Sequence, residues 1–190
     1  HLVVYTHPNP ESFCHAILET VLGALAERGD EVVVSDLYQK NFSPVLASSD
    51  FIAFGKGETP ADILEEQKNI EWADNLIFIY PTWWFNRPAM LQGWIDRVFS
   101  HGFAFNEDEN GFEALLSAKT SNIFVSYGGR EEDVVEAFGS IDAAVSTMTV
   151  GTLGLVGIDP IKPLYCFEVP TTTNEKRQAM LDQVAQTLTS

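Results

Sequence analysis

Five short runs of apolar, β-branched and aromatic residues recur along this chain, and each ends at a proline, a glycine or a charged residue. They are Leu2–Thr6, Glu31–Ser35, Asn75–Tyr80, the SNIFVSY stretch within Lys119–Tyr127, and Ile161–Phe167. Runs this short and continuous read as strands buried on both faces. Between them lie segments with helical spacing: from Ser12 to about Arg28, Asp62–Ala73, Pro88 to about Phe99, about Glu132–Val156, and Thr173–Leu188. In the first, Ile17, Leu18, Val21, Leu22 and Leu25 share one face, with Ser12 as an N-cap and Gly29 as the stop. Buried strands alternating with amphipathic helices imply an α/β fold with a parallel sheet covered on both faces. Five strands fit a doubly wound sheet in the order 2-1-3-4-5, one domain spanning residues 1–190. With 45% apolar residues, the chain has enough material for one core.

Several segments carry expectations of their own. Arg28-Gly29-Asp30 resembles an adhesion tripeptide but falls where a helix must end, so it reads as punctuation. Residues 36–60 show no clean period and contain Pro44, Gly55 and Gly57. They read as an excursion whose Phe42, Phe51 and Phe54 need burial or a partner. Gly139, Gly151 and Gly154 weaken the helix expected over 132–156. Asn106-Glu107-Asp108-Glu109 reads as a solvated loop rather than a cation site.

Charge and cysteine content narrow the function classes. With 11 Lys and Arg against 27 Asp and Glu, the net charge is −16. Such a surface repels nucleic acid and anionic membranes. Cys14 and Cys166 lie in no CxxC pair and are expected as free thiols. No apolar run reaches the length of a membrane span, and no basic leader precedes an apolar stretch. Together these predict a cytoplasmic protein. His1, His7, His15 and His101 show no paired ligand spacing, so no metal site is expected.

In a doubly wound sheet, ligands bind beyond the carboxyl ends of the strands, at the switch point between the first and third. After the first strand comes His7-Pro8-Asn9-Pro10-Glu11-Ser12-Phe13-Cys14. It has neither the GxGxxG of a dinucleotide fold nor the GxxxxGK[ST] of a P-loop. It does lead into a helix N-terminus, where free N–H groups favour an anion, with Ser12 and His7 as further donors. After the third strand comes Pro81-Thr82-Trp83-Trp84-Phe85-Asn86-Arg87-Pro88. Three adjacent aromatics between two prolines cannot all enter one core, and a flat aromatic ligand would cover them. Backbone N–H groups of Thr82 to Phe85 are candidates for the ligand's polar edge. After the fourth strand, Ser126-Tyr127-Gly128-Gly129 lets backbone approach a ligand closely. A flat heteroaromatic ring joined to a phosphate is the outline of a flavin nucleotide.

The same residues carry a family resemblance. The block Glu66–Phe105, EQKNIEWADNLIFIYPTWWFNRPAMLQGWIDRVFSHGFAF, has the P-x-x-W-[FY] loop, the P-A-x-L-x-G-W-x-[DE]-R-V-F helix and the G-F-A-[FY] ending of the NAD(P)H:quinone oxidoreductases, a DT-diaphorase-like family of flavodoxin-like flavoproteins. His7 with Ser12-Phe13, and Ser35-Asp36-Leu37-Tyr38 with Asn41-Phe42 and Pro44, also match. The resemblance covers about Leu2 to Gly129, and the rest weakly. It implies a flavodoxin-like fold, bound flavin (FMN favoured over FAD by the short chain), NAD(P)H as donor, a quinone-like acceptor and a homodimer.

By that resemblance, His7, Ser12, Phe13 and Cys14 hold the phosphate end of the flavin. Pro81, Thr82, Trp83, Trp84, Phe85, Ser126, Tyr127, Gly128 and Gly129 hold its ring. Trp84, Phe85, Phe103 and Phe105 meet the acceptor, the last two in the partner subunit's pocket. The flavin carries the hydride chemistry, with no catalytic side chain. Mammalian members have Thr-Thr-Gly-Gly followed by a Tyr and a His. Here Ser126-Tyr127 precede the glycines and REEDVVEAFGS follows, so a side-chain charge relay is not implied. Arg130 is a candidate for a nicotinamide-nucleotide phosphate, against an ordinary surface arginine. Two rival readings are a one-electron flavodoxin-type carrier and an ancillary flavoprotein subunit of a membrane transporter.

Overall fold

The computed structural model describes residues 1–109 and 111–189; Asn110 and Ser190 lie outside them. In chain order the elements are β1 (Leu2–Tyr5), α1 (Phe13–Arg28), β2 (Val33–Asp36), α2 (Ser48–Gly55), α3 (Ala61–Trp72), β3 (Asn75–Pro81), α4 (Ala89–Val98), β4 (Phe105–Asp108), β5 (Gly111–Ala114), β6 (Thr120–Ser126), α5 (Glu131–Phe138), α6 (Ile141–Met148), a π-helical turn (Thr149–Gly154), β7 (Ile161–Cys166) and α7 (Asn174–Thr189). The main sheet is parallel throughout, in the order β2-β1-β3-β6-β7. This is the expected 2-1-3-4-5 order once the separate β4–β5 pair is set aside, and the architecture is flavodoxin-like.

Strand alternation sends successive side chains to opposite faces. Leu2, Val4, Leu76 and Phe78 pack with Ile63 and Ile70 of α3, Leu91, Trp94 and Val98 of α4, Val134 of α5 and Met148 of α6. Val3, Tyr5, Ile77 and Ile79 pack with Ile17, Val21 and Leu25 of α1 and Val184 and Leu188 of α7. All seven residues of β3, the central strand, are buried. Two covered faces leave the chain no reason to alternate polar and apolar residues there.

Local signals act as expected at several ends. Ser12 caps α1 by accepting from the His15 N–H at 3.2 Å. Gly29 closes α1 in the left-handed region at φ 76°, so Arg28-Gly29-Asp30 is a helix stop. Four expectations need correction. Residues 36–60 contain the helix α2, pinned by the buried Asp50 rather than by an apolar stripe. Phe42 is buried and Phe54 packs against the core, but Phe51 is 62% exposed. The helix expected over 132–156 is cut at Gly139 (φ 84°) and recapped by Ser140, which accepts from the Ala143 N–H. Residues 106–109 do not form a loop: β4 pairs antiparallel with β5, and Phe105 stacks on Phe112 at 5.3 Å. The second strand also runs two residues later than its apolar run begins.

Gly93 on α4 marks the closest approach of the excursion to the sheet-covering helices. A Cβ there would lie 1.9 Å from the carbonyl oxygen of Pro44. The obstacle is backbone, which cannot swing aside as a side chain can. Gly93→Ala is expected to cost about 1–3 kcal/mol through overpacking, despite alanine's better helix propensity. Chemical denaturation would show a lowered midpoint; an unchanged or raised midpoint would refute the close approach.

Candidate functional site

The loops after β1, β3 and β6 meet beyond the carboxyl edge of the sheet. They enclose an open cleft of about 550 Å³ lined by His7, Ser12, Phe13, Cys14, Pro81, Thr82, Trp83, Ser126, Tyr127 and Gly128, with Val169 and Pro170. The loop after β7 thus contributes two residues that the sequence reading did not single out. The signal available was the same rule that named the other loops, since Val169 follows the carboxyl end of the fifth strand of the sheet. Among the expected residues, Gly129, Trp84 and Phe85 lie outside this lining. Phe103 lies just before the hairpin and Phe105 opens its first strand, both half-buried against the core.

The first loop is shaped by its own polar side chains. The Asn9 N–H donates to Nδ1 of His7 at 3.0 Å, and the Glu11 N–H donates to the Asn9 side-chain oxygen at 2.9 Å. Nδ1 of His7 also lies 3.2 Å from the Asn9 carbonyl oxygen, so in the neutral ring either nitrogen can carry the hydrogen. Burial pushes the His7 pKa below its ordinary value, which favours that neutral form. The ring lies 5.9 Å from that of Trp83, so the first and second loops touch. Cys14 forms part of the floor, its Sγ 3.2 Å from Oγ of Ser126. Burial pushes the Cys14 thiol up to about 11, so it stays protonated.

The second loop is a tight turn. Trp83 and Asn86 exchange backbone hydrogen bonds of 3.0 and 3.1 Å. Both residues between them are left-handed, Trp84 at φ 53° and Phe85 at φ 56°. Bulky side chains avoid this region, at a cost of order 1–3 kcal/mol each. Trp84 is 97% exposed, while Phe85 meets Phe138 of α5 at 5.3 Å. Such strain concentrates where a backbone serves a ligand.

The turn also corrects the expected donors. The Thr82 N–H is spent on the Ser126 carbonyl at 2.7 Å, and the Trp83 N–H on Asn86. The amides of Trp84, Phe85, Gly128 and Gly129 have no backbone acceptor among the described residues. In the third loop, Tyr127 stacks on Phe167 at 4.8 Å and donates its N–H to the Cys166 carbonyl at 2.7 Å. Arg130 is engaged by Asp133 on an exposed surface, the ordinary surface reading.

The chemistry of the donor set fits a flavin nucleotide. None of the cleft-lining residues is acidic, in a chain with 27 carboxylates. One end of the cleft is the N-terminus of α1, whose first N–H groups have no helical acceptor. Trp83 of the aromatic turn and Gly128 of the glycine pair also line the cleft, next to the strained Trp84 and Phe85. Among the described residues no group of His, Cys, Asp and Glu is placed to hold a metal, and no helix is long and apolar enough to cross a membrane.

The profile of the family Flavodoxin_2, a flavodoxin-like fold, matches residues 1–188. The chain belongs to that family. Its relatives are NAD(P)H and quinone oxidoreductases. A protein of Haemophilus influenzae named an uncharacterized NAD(P)H oxidoreductase is 32% identical, over 98% of this chain and 92% of its own length. The ribosyldihydronicotinamide dehydrogenase [quinone] of Mus musculus is also 32% identical, over 100% and 90%. Among solved structures, the NAD(P)H:quinone oxidoreductase of Methanothermobacter marburgensis superposes with a TM-score of 0.87 at 29% identity, covering 97% of this chain and 94% of that one.

Proposed function

We propose that this protein is a flavin-dependent NAD(P)H oxidoreductase that reduces a quinone or a similarly flat acceptor, with FMN as its flavin. The observation that carries the reading is the acid-free cleft, lined by the residues at the N-terminus of α1 and by Trp83 of the aromatic turn. The relatives' names favour the reductase over a one-electron carrier or an ancillary transporter subunit.

Ser12, a ring N–H of His7 and the first amides of α1 would hold the phosphate end. Amides of Trp84, Phe85, Gly128 and Gly129 would orient the ring. When bound, the flavin supplies two-electron chemistry, accepting a hydride from NAD(P)H and passing it on. The acceptor gains that hydride and a solvent proton, and a quinone becomes a hydroquinone. Trp84 and Phe85 position flat molecules and exclude water from the ring face. We extend the proposal to a homodimer. Phe103 and Phe105, the latter stacked on Phe112, would wall the partner's acceptor pocket, and the exposed Phe51 and Ile52 would be covered.

The test is the visible absorption spectrum of the purified protein, mass identification of the released cofactor, and NAD(P)H oxidation with a neutral naphthoquinone. A flavin spectrum, released FMN and quinone-dependent NAD(P)H oxidation are expected. A colourless protein that also refuses added FMN at micromolar concentration would overturn the reading. Flavin without NAD(P)H oxidation would favour the carrier.

A further inference from the structure

Arg87 is the residue for which the proposed function has no use. The chain has five arginines. Arg28, Arg97 and Arg130 each contact a carboxylate, and Arg177 bonds the carbonyls of Val169 and Pro170. Arg87 is half-buried and, among the described residues, pairs with no carboxylate: its Nε donates to the Gln92 side-chain oxygen, and one Nη lies 3.9 Å from the sulfur of Met148. In a protein with 27 acidic residues, a desolvated guanidinium left with an amide and a thioether has unspent anion-binding capacity.

A second, independent feature lies beside it. Tyr80, at the end of β3, is 3% exposed, and its hydroxyl, bonded to no other described residue, keeps some accessible surface instead of being sealed in the core. Tyr80 and Arg87 line one small cavity with Thr82, Phe85 and Tyr127, and it has room for about one water-sized group. Thr82 and Tyr127 also line the cleft described above, so the cavity adjoins it. Too small for a ring, the cavity can take one oxygen of a substituent carried by a ring.

We propose that Arg87 and Tyr80 form an anion subsite that selects acceptors bearing a carboxylate, one of whose oxygens enters this cavity. The inference rests on the reductase reading and specifies its substrate class. Arg87 supplies the charge and Tyr80 an O–H donor. The subsite offsets the repulsion that a net −16 protein exerts on an anionic substrate.

The test compares a neutral naphthoquinone with its carboxylate-bearing analogue in wild type, Arg87→Met, Arg87→Lys and Tyr80→Phe. The quantity read is the ratio of kcat/KM for the carboxylate to that for the neutral acceptor. Arg87→Met should lower the ratio at least tenfold, chiefly through KM. Arg87→Lys should retain part of it, and Tyr80→Phe should lower it severalfold. Equal losses on both acceptors, or an unchanged ratio, would overturn the subsite.

A binding arm separates this from failure of the reductase reading. Titration of the redox-inert 2-naphthoate against 2-naphthalenemethanol, followed by tryptophan fluorescence, needs no turnover. Preference for the carboxylate that disappears in Arg87→Met supports the subsite even if no quinone is reduced. Absence of preference in wild type sinks it even if quinones are reduced.

Discussion

Ser12→Asp is expected to abolish binding of the proposed FMN while leaving the apoprotein as stable as wild type, or slightly more so. The two effects have opposite causes at one atom. In the apoprotein, Ser12 accepts from the His15 N–H, and aspartate caps a helix as well as serine does. A carboxylate at this position also favours the positive end of the helix, by about 0.3–1 kcal/mol. Against a bound phosphate the same carboxylate does harm. It removes a hydroxyl donor, about 1 kcal/mol, and places like charges together. At an effective dielectric of about 20, unit charges 6 Å apart repel by roughly 3 kcal/mol. The sum predicts a loss of FMN affinity of at least 100-fold, or about 2.7 kcal/mol. Titration by flavin fluorescence and thermal melting of the apoprotein read the two halves separately. If Ser12 serves only as a cap, Ser12→Asp leaves FMN affinity unchanged, and the phosphate end of the proposed site is lost.

What the sequence made legible follows from where each signal is stored. β3 was readable because all its residues are buried, so its apolar run is unbroken. The three loops were readable because topology alone says where ligands of such a sheet bind. The helix α2 was not: eight residues make barely two turns, and its anchor, Asp50, finds Arg97 forty-seven positions away. An isolated carboxylate in sequence carries no sign that it will be buried.

The hairpin was missed for the converse reason. FNED and GFEA are acidic and mostly exposed, so nothing in them resembles a strand until they pair. The positive φ at Trp84 and Phe85 was invisible because glycine is the usual mark of that region and neither residue is glycine. For the same reason the expected donors shifted. Only the geometry of the turn shows that the Thr82 and Trp83 amides are already used. In the sequence Arg87 is one residue of the loop before α4, with no role of its own. Its missing carboxylate is a property of three-dimensional neighbours, which no spacing rule reports.

Arg97→Met is expected to produce the largest loss of stability of any conservative exchange at this helix. Arg97 is 5% exposed on α4 and grips Asp50 with two bonds, Nε to Oδ2 at 2.9 Å and Nη2 to Oδ1 at 3.1 Å. It also donates to the Ser43 carbonyl at 3.0 Å and to Asp62 of α3, and its guanidinium lies 5.2 Å from the centre of the Phe42 ring. One side chain therefore ties α2, α3, α4 and the segment around Ser43 together. Methionine fills much of the volume but leaves the Asp50 carboxylate, 4% exposed, with the Ala47 N–H in place of the guanidinium. Stranding a buried charge in this way costs about 3–5 kcal/mol. At about 2–4 °C per kcal/mol for a chain of this size, the melting temperature should fall by about 6–20 °C.

The double variant Arg97→Met with Asp50→Leu should regain most of that loss, because the penalty lies in the orphaned charge rather than in the missing attraction. The pH dependence has a definite sign. Arg97 holds the Asp50 carboxyl below its ordinary value, chiefly by hydrogen bonding. The pair's contribution is therefore complete above about pH 4, where an unfolded aspartate is ionised, and is lost as pH falls through the lowered native value. Wild type should lose stability on acidification in that window, and the double variant should lose less. Parallel acid curves for the two proteins would show that the ion pair is not what joins α2 to the rest of the fold.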